Sequence, residues 1–377
     1  MPKNLPRRDF LKAFGATAGL VGCAAQTQTT PAKASPDAAA KKRILILGGT
    51  GYIGPAIVSA ARAGGHAVTL FNRGKTNPHL FPEVEKILGE RAADLDRLRG
   101  RRWDAVVDTW TRYPSAVRAA AELLRDQVEQ YLFVSTISVY KLGREPIDES
   151  SAVMTPSEPP PENQDLRNYG PLKVLSEQAA EQAMPGRVTV VRPGVIAGPG
   201  DPTDRFTYWP VRLARGGEVL APGEPGYRMQ FIDVRDLGEW IVTAIQARHV
   251  GTYNAVGPAE PALRSVLQAC QAGVASDARL VFVDDKWLER NEAGSFNDFP
   301  LAVPADSPSS GFAQVSAARA IAKGLRFRPV GVTAKDTLDW WSAQPAERRA
   351  KSRPGLTAER EAELLARWHT PHQAGRP

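Results

Sequence analysis

The sequence predicts a doubly wound α/β fold: a parallel sheet covered by helices on both faces, followed by a smaller C-terminal lobe. Short apolar runs recur at Arg43–Leu47, His66–Phe71, Val84–Leu88, Asp104–Asp108, Tyr131–Ser135 and Val188–Arg192. Most of them are nearly continuous in apolar character, as strands buried on both faces are. Helical segments at 55–62, 114–125 and 169–183 fall between several of them, and strands alternating with helices build parallel sheets. The first run also leads directly into a glycine-rich turn and a helix.

The bulk numbers bound the answer. The chain has 377 residues, 42% of them hydrophobic, enough for a sizeable core and incompatible with wholesale disorder. Its formal net charge is +7, of which residues 1–22 carry +3 through Lys3, Arg7, Arg8 and Lys12 against Asp9. The remaining +4 is weak support for a nucleic-acid partner. Two cysteines are present, and Cys23 lies in the leader, so the body holds Cys270 alone and cannot close a disulfide. A lone cysteine in a helical pattern reads as a small buried apolar residue. No His/Cys cluster has metal-ligand spacing, and no internal repeat is visible.

Residues 1–25 read as an export address. Pro6-Arg7-Arg8-Asp9-Phe10-Leu11-Lys12 resembles a bacterial twin-arginine signal, and the mildly apolar stretch Ala13–Ala25 is too short for a membrane span. Leu20-Val21-Gly22-Cys23 resembles a lipobox in which Cys23 would receive lipid; the alternatives are cleavage near Ala24-Ala25 or an uncleaved anchor. Residues 26–42, rich in Gln, Thr, Ala, Pro and Ser, form a flexible tether. The expected location is the periplasm, free or as a membrane-anchored lipoprotein.

Residues 43–195 form the expected nucleotide domain. Gly48-Gly49-Thr50-Gly51-Tyr52-Ile53-Gly54 follows the first strand at once and opens a helix that Gly64-Gly65 ends. Glycines let the chain turn sharply and approach a pyrophosphate, and the helix N-terminus offers free N–H groups and partial positive charge. Strand, turn and helix in this order are the dinucleotide fingerprint of a Rossmann-type sheet. An NAD site usually places an acidic residue after the second strand. Here Asn72-Arg73-Gly74-Lys75 stands there, and its cations suit a ribose 2′-phosphate, so NADP is favoured with NAD as the alternative. Asp94, after the third strand, is placed to meet the adenine amino group.

The catalytic candidates follow the fifth strand. Tyr169 and Lys173 are four apart at the start of a helix and share one face. A phenol of pKa about 10 is a poor base at neutral pH, and a nearby ammonium favours its ionised form. Tyr169 could then take a proton from a substrate hydroxyl, with Thr136 hydrogen-bonded to the same oxygen.

Gly48–Gly54, Ser135-Thr136-Ile137-Ser138-Val139-Tyr140, Tyr169-Gly170-Pro171-Leu172-Lys173, Val191-Arg192-Pro193-Gly194 and Phe231-Ile232-Asp233-Val234-Arg235-Asp236 appear in that order over about residues 43–340. With these the chain resembles extended short-chain dehydrogenases/reductases, especially the NAD-dependent epimerase/dehydratase family. The resemblance implies catalysis by Thr136, Tyr169 and Lys173, with Ser138 as a second polar contact and Lys173 also holding the nicotinamide ribose. Two departures stand out: Asn72-Arg73 replaces the acidic residue, and Lys141 replaces the glycine that usually follows Val-Tyr in members acting on sugar nucleotides.

Residues 196–343 form the expected substrate lobe, with 228–248 returning to the sheet through a strand at 230–234 and a helix at 237–248. Asp204-Arg205-Phe206-Thr207-Tyr208-Trp209 suits either a sugar-like ligand or a lobe core. Arg228 suits an anionic substrate group or an exposed loop. Residues 284–311 form either a loop over the site or a connection. Residues 344–377 read as a polar tail with a helix over 357–368.

The expected activity is therefore an exported epimerase/dehydratase-like oxidoreductase acting on a hydroxyl-bearing, carbohydrate-like small molecule by transient hydride transfer. A redox-neutral cycle fits export, because the periplasm supplies no nicotinamide cofactor. The alternative is a non-catalytic module that binds NAD(P), another ligand or nucleic acid on the same scaffold; nucleic acid is not the expected partner. A homodimer is compatible with the resemblance.

Overall fold

In the computed structural model the described residues are 40–109, 113–156, 168–223, 226–258, 262–294 and 296–370. The twin arginines, Cys23 and nearly all of the tether lie outside them. Ile44 to Leu47 have every side chain buried, and β1 (Arg43–Leu47) is the sheet's third strand from one edge. Pro55 in the first turn pre-sets the backbone of α1 (Gly54–Ala63), and Gly65, at φ +74°, turns the chain back after it. There follow β2 (Ala67–Asn72), β3 (Glu85–Leu88), β4 (Ala105–Asp108), α2 (Pro114–Leu124), β5 (Gln130–Val134), α3 (Tyr169–Ala183) and β6 (Val188–Pro193). All pair in parallel, the register running Ile46 beside Leu70 and Val107, and Leu132 beside Thr189.

The alternation of β1 explains why both faces are covered. Ile44 and Ile46 enter a core with Ile57, Val58 and Trp240; Leu45 and Leu47 enter another with Val117, Leu124 and Phe133.

The lobe contributes β7 (Ile196–Ala197), α4 (Tyr208–Ala214), β8 (Glu218–Pro222), β9 (Ile232–Asp233), α5 (Val234–Gln246), β10 (Gly251–Ala255), α6 (Leu263–Gly273), β11 (Arg279–Val283), α7 (Asp285–Arg290), α8 (Ala318–Ala322), α9 (Val330–Ser342), α10 (Ala346–Ala350) and α11 (Ala358–His369). The central sheet has seven strands in the order β10-β6-β5-β4-β1-β2-β3, a Rossmann-type arrangement.

Two expectations differ from what the chain does. The segment 230–234 does not rejoin the sheet: among the described residues β9 pairs only with β7, and β10 supplies the seventh strand beside β6. Asp233 instead caps α5, accepting from the Arg235 N–H at 2.8 Å, and the helix packs on α1. Residues 284–311 follow the second of their two readings, a connection rather than a loop over the site, with Trp287 and Phe299 buried in the lobe core. Nor is the C-terminal segment a tail. Leu364 and Leu365 of α11 join that core, and Glu361 pairs with Arg212 and accepts the Leu220 N–H at 2.9 Å.

Candidate active site

The glycine turn is built for close approach. A Cβ on Gly54 would lie 2.5–2.7 Å from the Gly49 backbone, so only glycine lets α1 begin this near the turn. Gly48, at φ +117°, would place one 2.7 Å from the Thr109 hydroxyl, which itself donates to the Leu47 carbonyl at 2.9 Å. Gly51 faces open space. Gly48, Thr50, Gly51, Asn72, Arg73 and Thr109 line a pocket of about 170 Å³ at the carboxyl ends of β1, β2 and β4. Asn72 braces it: its amide donates to the Gly48 carbonyl and its oxygen accepts the Gly74 N–H, both at 2.9 Å. Arg73 is half-exposed and 3.7 Å from Glu90. A helix N-terminus, glycine backbone and open space fit the pyrophosphate of a dinucleotide.

Ile53 caps α1 through its backbone, which places the first free N–H groups beside the turn. Two sequence candidates point elsewhere. Tyr52 turns toward Gly200 and the groove between α1 and α5; its hydroxyl is buried, and burial followed by the charge of Asp201 pushes its pKa well up. Asp94 accepts the Glu90 N–H at 2.7 Å and pairs with Arg97 at 3.4 Å. It serves the loop after β3, and Glu90 and Arg91 line the pocket in its place. Thr109 was missed, although it follows a strand at the ligand-binding end of the sheet, which is signal enough.

Thr136, Ser138, Tyr169 and Lys173 converge at the carboxyl end of β5. Thr136 is extended, and its oxygen accepts the Ser138 N–H at 3.1 Å, starting the short helix Ile137–Val139. A Cβ on Gly170 would drive into the Ser138 carbonyl, so the glycine after Tyr169 lets α3 touch this turn. This brings the Tyr169 phenol near enough to the Thr136 hydroxyl for the two to interact. Lys173 is fully buried, donates from Nζ to the Val134 carbonyl at 2.6 Å and lies 4.1 Å from the centre of the Phe133 ring.

The electrostatics depart from the expected activated phenol. Burial raises the Tyr169 pKa, and the opposing influence is the Thr136 hydrogen bond rather than Lys173. Burial lowers Lys173 to about 7, against the charges of Asp108 and Glu177 that favour its ammonium. Asp108 is itself buried and binds Arg91 and the Tyr131 hydroxyl.

Ser135 is committed to structure. It donates to Glu177, which takes a bidentate pair from Arg192 at 3.0 and 2.6 Å, and Arg192 continues to the Tyr140 hydroxyl at 2.9 Å. That leaves Thr136 as the hydroxyl facing Tyr169. On the lobe side, Arg205 is held by Thr203 at 3.1 Å on a separate cleft. Arg228 is half-buried, with its backbone paired to Val303 at 2.9 Å both ways. Among the described residues, neither shares a hydrogen bond or ion pair with Tyr169.

Fold and site together point to a class: the chain is similar to extended short-chain dehydrogenases/reductases of the NAD-dependent epimerase/dehydratase kind. Residues 100–256 match the family described as "NAD dependent epimerase/dehydratase family". Among individual proteins, the chain is 28% identical over 236 residues to Epimerase family protein SDR39U1 of Bos taurus, covering 58% of this chain and 75% of that one. The human SDR39U1 structure with NADPH superposes with a TM-score of 0.51 at 22% identity, over 79% of this chain and 99% of that one. The Bordetella bronchiseptica enzyme WbmH in complex with NAD+ gives 0.59 at 18% identity, over 80% and 99%.

Proposed function

We propose that this protein is an exported NAD(P)-dependent oxidoreductase of the epimerase/dehydratase kind, acting on a hydroxyl-bearing, sugar-like substrate by transient hydride transfer. The facing Thr136 and Tyr169 hydroxyls, at the sheet end where ligands bind and with the buried Lys173 one turn further along α3, carry this reading. Gly48, Thr50, Gly51, Ile53, Gly54, Asn72 and Arg73 would hold the dinucleotide, whose nicotinamide supplies the hydride acceptor and donor. Thr136 orients the substrate oxygen. Tyr169, kept protonated at neutral pH by burial, is set to give a proton to a carbonyl oxygen and to regain it from a hydroxyl. Lys173, one turn further along α3, would hold the nicotinamide ribose.

Arg73 supports NADP over NAD, because a ribose 2′-phosphate would compete with Glu90 for the guanidinium. The leader supports export by the twin-arginine route, a pathway that carries folded proteins, with Cys23 as the lipid site. Redox-neutral chemistry suits that compartment, since the cofactor returns to its starting state each cycle.

Denaturing the periplasmic form and assaying the supernatant by fluorescence tests the reading. Near-stoichiometric nicotinamide dinucleotide is expected. Absence of cofactor, with melting unchanged by NADPH or NADH, would leave a binding module. Arg73→Ala is expected to weaken NADPH at least tenfold more than NADH; an equal loss refutes the NADP preference.

A further inference from the structure

A second cleft, of about 760 Å³, opens in the lobe between the 202–205 loop and the segment after α10. One wall, residues 202–205, falls within the residues that match the family; the other, residues 296–300 and 348–354, falls beyond them. Arg205, Arg348, Lys351 and Arg353 converge on it from positions almost 150 apart in sequence, with Phe296 on its rim. Asp204 is the carboxylate in its wall, and Arg348 neutralises it through two hydrogen bonds of 2.7 Å. Arg205, Lys351 and Arg353 have no ion pair among the described residues.

The arrangement is ordered rather than a loose basic surface. Thr203 holds the Arg205 Nε at 3.1 Å, and Asp201 in turn holds Thr203 through its N–H at 2.8 Å and its hydroxyl at 2.7 Å. Arg353 is folded onto the Ala350 and Ser352 carbonyls at 3.0 and 3.2 Å. Arg348 also lies 5.4 Å from the Trp341 ring. Arg205, which also faces the buried Asp201, gathers with Lys351 and Arg353 around one concavity, and a bound anion offsets their mutual repulsion. The volume falls in the range of small-molecule sites. A half-exposed phenyl ring at the rim offers an apolar surface to the rest of such a ligand.

We propose that this cleft is an anion site, taking a small molecule through a phosphate or carboxylate group, separate from the glycine turn and independent of the Tyr169 chemistry. Guanidinium groups bind both oxyanions in bidentate fashion, and the lysine adds a point charge.

Titration calorimetry with inorganic pyrophosphate and with malonate, each at 150 mM salt and with NADPH present in excess, tests it and separates the two chemistries. One saturable site is expected for at least one probe. The double variant Arg205→Ala/Arg353→Ala, both at exposed or half-exposed positions, is expected to weaken it at least tenfold. Lys335→Ala, which removes an exposed cation on α9, is expected to leave it within twofold. The proposal is overturned if neither probe saturates, if NADPH abolishes pyrophosphate binding, or if the double variant binds as wild type does. Should NADPH itself fail to bind, the same titrations without it still decide the cleft, so its fate and that of the cofactor reading are read separately.

Discussion

Gly170 has no side chain to react, yet it decides where two reactive ones meet. Its Cα faces the Ser138 carbonyl, and a methyl group there would push α3 off the turn that holds Thr136. Gly170→Ala is therefore expected to part Tyr169 from Thr136. Turnover should fall 10- to 100-fold while NADPH affinity, set at the far glycine turn, changes less than threefold; equal losses in both would mean a general unfolding. Tyr169→Phe removes the proton donor and keeps the ring. Positioned acid–base groups contribute about 10²–10⁴ in rate, and a loss of that order is expected with melting temperature held within about 2 °C. A variant retaining full turnover would remove Tyr169 from the chemistry. Tyr52 and Asp94 show the opposite case: both sit in the right stretch of chain, and both spend their side chains on neighbouring structure.

At the scale of elements, the joint between α3 and β6 holds the site together. Glu177 on the helix and Arg192 on the strand form a buried bidentate pair, extended by Ser135 after β5 and by Tyr140, whose hydroxyl reaches Asn254 of β10 at 2.7 Å. Four segments are thus joined through side chains beneath Lys173. Removing one partner of a buried pair strands the other's charge, at a cost of about 3–5 kcal/mol. Glu177→Gln and Arg192→Met are each expected to destabilise by that order in urea unfolding, and the double variant by clearly less than the two together. Additive losses would show that the pair is not coupled.

For the whole molecule, Lys173 links stability to pH. Its folded value of about 7 lies below the ordinary 10.5, so the unfolded chain binds more protons between these values. Burial of the ammonium thus costs stability in full below pH 7, and the cost fades as pH rises toward 10.5. Lys173→Met is expected to raise melting temperature relative to wild type more at pH 6 than at pH 9 in scanning calorimetry. A pH-independent difference would mean that the lysine is not held near 7.

The sequence by itself determined the first six strands, the order of strand, glycine turn and helix, and the placing of Tyr169 and Lys173 one turn apart on the same helix. Each is written in a pattern a few residues long: apolar runs, glycines at fixed offsets, a four-residue spacing. Tertiary structure alone decided that β10 closes the sheet, that Ser135 serves Glu177 while Thr136 faces the phenol, and that Arg205 and Arg353 share a cleft. Those outcomes depend on which distant segment arrives opposite a side chain, and on what its burial there does to charge, neither of which is stored locally in the chain.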